Sequence, residues 1–312
     1  MKRKKIVIPG GAGLVGQNLV AQFEKQGYTH LVVIDKHEAN LRILKKLHPH
    51  VEIILADLSA RGEWEKHFEG ASTVIVLQAQ IGAATVEPFI RNNIDSTKHI
   101  LRLIQNYAIP YTVHVSSSVV KSVAEDNYTK TKKKQEELVL ESGIPCIILR
   151  PTLMFGWFDR KHLGWLSRLM KKIPVFPIPS HGHYMRQPLY VRDFCRIIIS
   201  CVENQRPGQM FNITGLEKID YIDMIRQIKE TIQAKAFILP IPYSVFYALL
   251  KMWALFDKNP PFTADQLKAL VTHDEFEVID WPGIFKVKAT PFAEAIQETF
   301  TDPTYSHIVM EF

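Results

Sequence analysis

Near the start of the chain, Ile6-Val7-Ile8-Pro9-Gly10-Gly11-Ala12-Gly13-Leu14-Val15-Gly16 runs an apolar strand into a glycine cluster and then into the helix start Gln17-Asn18-Leu19-Val20. Reversing from strand to helix over so few residues requires positive φ or close backbone approach, which glycine allows without a Cβ clash. The helix that follows presents unpaired N–H groups and a positive dipole end, a seat for a pyrophosphate. Two frames fit: Gly11-x-Gly13-x-x-Gly16 has the dinucleotide-binding spacing, and Gly10-x-x-Gly13-x-x-Gly16 is one residue longer in its first interval. The next apolar run, His30-Leu31-Val32-Val33-Ile34, ends in Asp35, roughly 20 residues past the glycines, where an acidic residue meets the adenosine ribose hydroxyls. Solubility of a strand tip is the competing role for Asp35.

Further apolar runs follow at regular intervals, at Val51 to Ala56, Thr73 to Leu77, Tyr111 to Val115 and Cys146 to Leu149, with helix-length segments between them. Such near-continuous Val/Ile/Leu strands imply a parallel sheet covered on both faces. The expected fold class is α/β, a doubly wound parallel Rossmann sheet with a smaller C-terminal substrate or lid domain. Residues 1–150 form the dinucleotide-binding domain in this reading. Residues 151–312, richer in aromatics, prolines and long loops, form mainly the lid, with segments near 186–213 returning to the sheet.

With 312 residues, 46% of them hydrophobic and 22% charged, the chain has the composition of a globular protein with a large core. The net charge of +6 suits an anionic nucleotide. Most of the lysines at 130, 132, 133 and 134 read as a solvated helix face, and nothing points to nucleic acid. Cys146, Cys195 and Cys201 lack C-x-x-C spacing and read as buried thiols. His48-x-His50 and His181-x-His183 have no companion ligands, so no metal is expected. The basic start, Lys2-Arg3-Lys4-Lys5, precedes a strand without a cleavage-site pattern, which suggests a cytoplasmic protein. No apolar stretch reaches membrane-spanning length.

The fifth apolar run leads into Ser116-Ser117-Ser118 and then Tyr128-Thr129-Lys130-Thr131-Lys132. On a helix, Tyr128 and Lys132 share a face. An ammonium beside a phenol favours the phenolate, lowering a pKa near 10. Such a tyrosine exchanges a proton with a substrate hydroxyl or carbonyl while a nicotinamide exchanges the hydride. A serine from the strand end would hold the same oxygen.

These features resemble a known family when taken with Asp57, Leu149-Arg150-Pro151 and Arg186-Gln187-Pro188-Leu189-Tyr190-Val191-Arg192-Asp193. They are similar to the extended short-chain dehydrogenases/reductases, the NAD-dependent epimerase/dehydratase group, over nearly the whole chain. Ile173-Pro174-Val175-Phe176-Pro177, Gln187 to Val191 and Thr263 to Val271 resemble the branch with the nucleotide-binding accessory subunit of respiratory complex I. The resemblance implies NAD, with Tyr128 as acid/base, Lys132 as its partner and ribose contact, and Ser118 as donor to the substrate oxygen. It implies that Asn93 steadies the lysine through water. Gly10, Gly13, Leu14, Val15 and Gly16 would hold the pyrophosphate, Asp35 and Lys36 the adenosine ribose, Asp57 and Leu58 the adenine edge, and Gln78 the nicotinamide side. Arg186 and Ser117 would face the substrate, a small molecule of the nucleotide-sugar class if the family's preference carries over. Lys36 beside Asp35 leaves NADP open, and the resemblance leaves a homodimer open.

Departures accompany the match. Pro9 replaces a usual threonine, Gln78 replaces a small residue, and Phe155-Gly156-x-x-Asp159 imperfectly matches a glycine-containing loop. The short stretch from Ser118 to Tyr128 leaves Ser116 or Ser117 as the alternative working hydroxyl. Asp57 has a competing use as N-cap of a helix starting near Ser59. Thr263-Ala264-Asp265-Gln266 has capping-box spacing. The apolar stretch Phe237 to Phe256 reads first as a helix buried in the lid core, with a partner interface or peripheral membrane contact as the other reading. Two functional classes remain: an NAD-dependent oxidoreductase or epimerase with a Ser-Tyr-Lys site, and a non-catalytic dinucleotide-binding scaffold.

Overall fold

The computed structural model describes residues 4–123, 125–256, 264–271 and 276–311. At its centre lies a seven-stranded parallel sheet, built from β1 (Ile6–Pro9), β2 (Leu31–Asp35), β3 (Glu52–Leu55), β4 (Thr73–Val76), β5 (Thr112–Val115), β6 (Cys146–Pro151) and the late strand Met210–Ile213. Across the sheet the order is Met210–Ile213, β6, β5, β4, β1, β2, β3. Register pairs Val7 of β1 with Val32 of β2 on one side and with Val74 of β4 on the other. Chain order reverses between β1 and β4, and that switch opens a crevice at the C-terminal strand ends. The expected doubly wound fold class is therefore the observed one.

Every residue of β1, β2, β4, β5 and β6 is buried, as near-continuous apolar strands between two helical layers must be. The run from Val51 to Ala56 behaves differently. Its strand β3 closes the sheet edge with a neighbour on one side only, and Leu55 is 57% exposed. Helix α1 (Leu14–Lys25) covers one face together with helix Val191–Asn204, and the Gln22 amide donates to the Arg192 carbonyl at 2.8 Å between them.

The lid has its own core, in which Phe155, Phe176, Ile178, Ile222, Ile225 and Ile296 meet. Strands Val175–Pro179 and Phe237–Ile241 form a parallel two-stranded ribbon there. Of the stretch near 186–213, only Met210–Ile213 adds a strand to the main sheet. Leu189–Tyr190 instead pairs with Met154–Phe155 outside it. No helix forms near Ser59; a 3₁₀ turn begins later, at Glu63–Phe68. The expected buried lid helix is also corrected: Tyr243–Phe256 is helical, yet Leu250 is its one buried residue. The capping-box stretch starting at Thr263 falls partly outside the described residues. Among the described residues, no helix is long and apolar enough to cross a membrane.

Candidate active site

The glycine turn is shaped by what a side chain would strike. Gly10 has φ +76°, and a Cβ there would lie 2.4 Å from the Gln78 backbone after β4. At Gly16 a Cβ would fall 2.1 Å from the Gly11 carbonyl oxygen, so this glycine lets the helix close onto the turn. Gly13 differs. A Cβ added there meets nothing nearer than the Gly10 oxygen at 3.8 Å. Gly13 is the N-cap of α1, no side chain caps the helix, and its first turn holds no acid. Open space in front of uncapped N–H groups is what a pyrophosphate needs, so the turn fits a dinucleotide. Leu14 and Val15 follow it, half-buried against the sheet core.

Asp35 is buried at the tip of β2, where its carboxylate accepts from the Ala12 N–H at 3.0 Å and from the His37 N–H at 3.1 Å. It ties the strand tip to the glycine turn, and a carboxylate keeps further acceptor sites beyond these two. Lys36 donates to the Asn92 side chain at 2.8 Å. Asp57 is committed locally: it accepts from the Ser59 backbone and hydroxyl and pairs with Arg91 at 2.5 Å. Burial raises its pKa, but the Ser59 hydrogen bonds and the Arg91 charge outweigh this and hold the carboxyl below its usual range. Asp57 thus caps a turn instead of a helix, and Leu58 beside it is a core residue.

The three serines separate into three environments. Ser116 donates to Glu136 at 2.6 Å, and Glu136 forms a buried ion pair with Arg150 at the end of β6. Ser117 caps the 3₁₀ turn Ser118–Lys121, and its side chain hydrogen-bonds the Tyr128 phenol. Ser118 lies within that turn. The structure thus brings Ser117 to Tyr128.

Helix Asn127–Glu141 is capped by Asp126, which accepts from the Thr129 N–H at 3.0 Å and sets Tyr128 in the first turn. Burial raises the Tyr128 pKa, the Ser117 hydrogen bond opposes the rise, and the Asp126 charge adds to it. Lys132 stands one turn further along the same helix. The lysine is 1% exposed and turns inward, donating to the Gln135 side-chain oxygen and to the Val115 carbonyl. Burial pushes its amine down to about 7, against the raising charge of Glu136.

Asn93 sits, fully buried, in a π-helical turn, Ile90–Asp95. Its side chain accepts from the Gln80 N–H at 2.7 Å and donates to Thr131 at 3.0 Å, joining the loop after β4 to the tyrosine helix. Gln78 donates to Thr97 at 3.1 Å, and Gln135 donates to the same hydroxyl at 2.8 Å. A continuous chain of contacts therefore runs from Gly10 through Gln78, Thr97 and Gln135 to Lys132. The Gln78 Oε1 atom is buried and without a hydrogen-bond partner among the described residues, an acceptor beside the glycine turn. Arg186 lies on a short strand that pairs with Ile219–Asp220, and its charge reaches Tyr221.

Thr97, Gln135 and Glu136 complete this network with Arg150 and were not singled out in the sequence. The signal was available: Tyr128, Lys132, Gln135 and Glu136 fall at three- and four-residue intervals, a polar stripe on one helix face.

The profile of the NAD dependent epimerase/dehydratase family matches residues 6–214. The chain belongs to that family. Its members are NAD-dependent enzymes, and NAD is the family's cofactor. Ceramide reductase of Caulobacter vibrioides is 26% identical over 183 residues, 57% of this chain and 55% of that protein, so the match spans about half of that relative. The mitochondrial NADH dehydrogenase (ubiquinone) 1 alpha subcomplex subunit 9 of Dictyostelium discoideum is 23% identical over 265 residues, 83% of this chain and 73% of that protein. Among solved structures, UDP-glucuronic acid 4-epimerase from Bacillus cereus in complex with NAD superposes with a TM-score of 0.71 at 20% identity, covering 95% of this chain and 96% of that one.

Proposed function

We propose that this family member is an oxidoreductase acting at a carbinol or carbonyl carbon, with Ser117, Tyr128 and Lys132 as its working side chains. The observation that supports the reading is the Ser117–Tyr128 hydrogen bond just after β5, on the helix whose Lys132 is linked through Gln135, Thr97 and Gln78 to the glycine turn. Gly10, Gly13, Gly16, Leu14 and Val15 would hold the pyrophosphate, and Asp35 the adenosine ribose, where a carboxylate disfavours a 2′-phosphate. NAD supplies hydride acceptance or donation there. Ser117 donates to the substrate oxygen, and Tyr128 moves the proton on that same oxygen. A phenol with a raised pKa keeps its proton at neutral pH, which suits donation to a carbonyl undergoing reduction. Asn93 and Gln135 hold the tyrosine helix and its lysine in place.

Nucleotide-sugars are the substrates named for the epimerase relatives, while ceramide reductase is named for a lipid. Both classes present a carbinol or carbonyl, and Arg186 on the lid fits the diphosphate of the former. The non-catalytic reading draws on the inward turn of Lys132, whose amine donates to Gln135 and the Val115 carbonyl. Replacing Tyr128 with phenylalanine separates the two. Cofactor binding should survive while turnover of a responsive substrate falls by about a thousandfold, within the range of lost acid/base catalysis. Unchanged turnover in that variant would defeat the oxidoreductase assignment.

A further inference from the structure

The lid carries an apolar ridge that the described chain leaves uncovered. Helix Tyr243–Phe256 packs along one side, where Leu250 and Leu267 meet Tyr243, Phe246 and Val271. Elsewhere its apolar side chains face outward: Trp253 is 53% exposed, Leu255 81% and Phe256 86%. Phe237 on the preceding strand and its register partner Val175 are exposed as well. A helix apolar on nearly every side is ordinarily buried, and an exposed one of this kind marks a contact site.

Charge decides the occupant. From Thr231 to Phe256 the sequence contains no aspartate or glutamate, and its two charged residues are Lys235 and Lys251. Lys235 stands two residues before Phe237, and the exposed Lys171 and Lys172 stand just before Val175, at the same end of the parallel ribbon. Beside them, an open cavity of about 600 Å³ is lined by Arg226 and Lys229 together with Phe237, Ile238 and Pro240, with Glu230 as its one acid. A second copy of the chain would bring these cations against one another, which costs association energy. An anionic bilayer complements both features: hydrocarbon receives the ridge and phosphate headgroups receive the rim. Fourteen residues span about 21 Å as a helix, short of the roughly 30 Å of hydrocarbon, so the segment lies in the interface. Trp253, Tyr243 and Tyr247 belong to the residue types that settle at headgroup depth.

We propose that strand Phe237–Ile241 and helix Tyr243–Phe256 seat the protein on an anionic membrane surface, with Lys171, Lys172 and Lys235 on the headgroup phosphates. The test is co-sedimentation of the full chain with vesicles of phosphatidylcholine alone and of phosphatidylcholine mixed with phosphatidylglycerol. Binding is expected to the mixed vesicles, weakened by added salt. The combined variant Trp253→Ser, Leu255→Ser and Phe256→Ser should bind them about tenfold less or weaker, through lost apolar burial. The variant Lys171→Glu, Lys172→Glu and Lys235→Glu should lose the preference for acidic lipid. Retained NAD binding shows that each variant is folded; were the serine variant to lose it, the charge-reversed one decides. Absence of binding to mixed vesicles, or equal binding to both kinds, overturns the proposal. So does a solution mass of two copies that drops to one in the serine variant, with no vesicle binding. Docking needs no turnover, so a protein that binds vesicles without catalysing a reaction refutes the oxidoreductase reading alone.

Discussion

Replacing Lys132 with methionine should change how stability depends on pH, in a direction set by where the amine sits. Burial lowers the Lys132 pKa from 10.5 to about 7. In the unfolded chain the amine holds its proton up to about 10.4, so between pH 7 and 10 the unfolded state binds more protons than the folded one. Stability contributed by this group therefore rises with pH across that window. Below pH 7 the folded protein bears the full cost of the buried ammonium, about 5 kcal/mol at about 1.4 kcal/mol per pH unit. Lys132→Met removes the titration and leaves the Gln135 oxygen and Val115 carbonyl without this donor, a loss that does not depend on pH. The measurable quantity is the difference in unfolding free energy, wild type minus variant, from urea titrations at pH 6.5 to 9.5. It should climb by about 2 kcal/mol between pH 7 and pH 9. Other titrating groups are common to both proteins and cancel. A difference that stays flat across the range would show that the ammonium is hydrated, and the inward placement of Lys132 would then be wrong.

The glycine turn and the serine run yield sharper contrasts. Gly13→Val has room for its side chain and an extended N-cap backbone at φ −82° and ψ −176°, so the protein should fold with near-native urea stability while NAD affinity, read by titration calorimetry, drops by about tenfold or more. Gly16→Ala instead forces a Cβ to 2.1 Å from the Gly11 carbonyl and should lower the denaturation midpoint sharply, by several kcal/mol equivalent. Equal effects of the two substitutions would refute the division of labour between these glycines. Ser117→Ala should cut turnover by about a hundredfold, whereas Ser118→Ala should stay within a few-fold of wild type. The reverse ranking in steady-state assays would restore Ser118 as the working hydroxyl.

The sheet was legible because its information is local. Five-residue apolar runs separated by helix-length segments admit few arrangements, and the glycine turn states where the first crossover begins. What local pattern cannot show is who ends up at an edge: the run at Val51 to Ala56 reads like its neighbours, yet Leu55 faces solvent because β3 has no outer partner. The same holds for the lid helix. An apolar fourteen-residue segment is consistent with a buried helix until the packing shows that Leu250 alone goes inside. The fate of each serine was hidden for a different reason. Ser116 goes to Glu136 and Ser117 to Tyr128, two turns apart on one helix, because the chain after β5 aims successive side chains at different points along it, and that aim is a tertiary fact.

The helix carrying Tyr128 shows why a polar stripe deserves as much weight as an apolar one. Its buried residues are Thr129, Thr131, Lys132, Gln135, Glu136 and Val139, so the face turned toward the sheet is mostly hydrophilic. Propensity and packing alone would place such a face outside. It is tolerated inside because partners accompany it: Thr131 meets Asn93, Lys132 meets Gln135, Gln135 meets Thr97, and Glu136 meets both Ser116 and Arg150. Removing any single member strands another in a dry interior, which costs more than the lost bond is worth. An apolar face would hold the helix with less risk. Keeping a hydrophilic one fixes its rotation and height against β5, and with them the position of Tyr128 in its first turn.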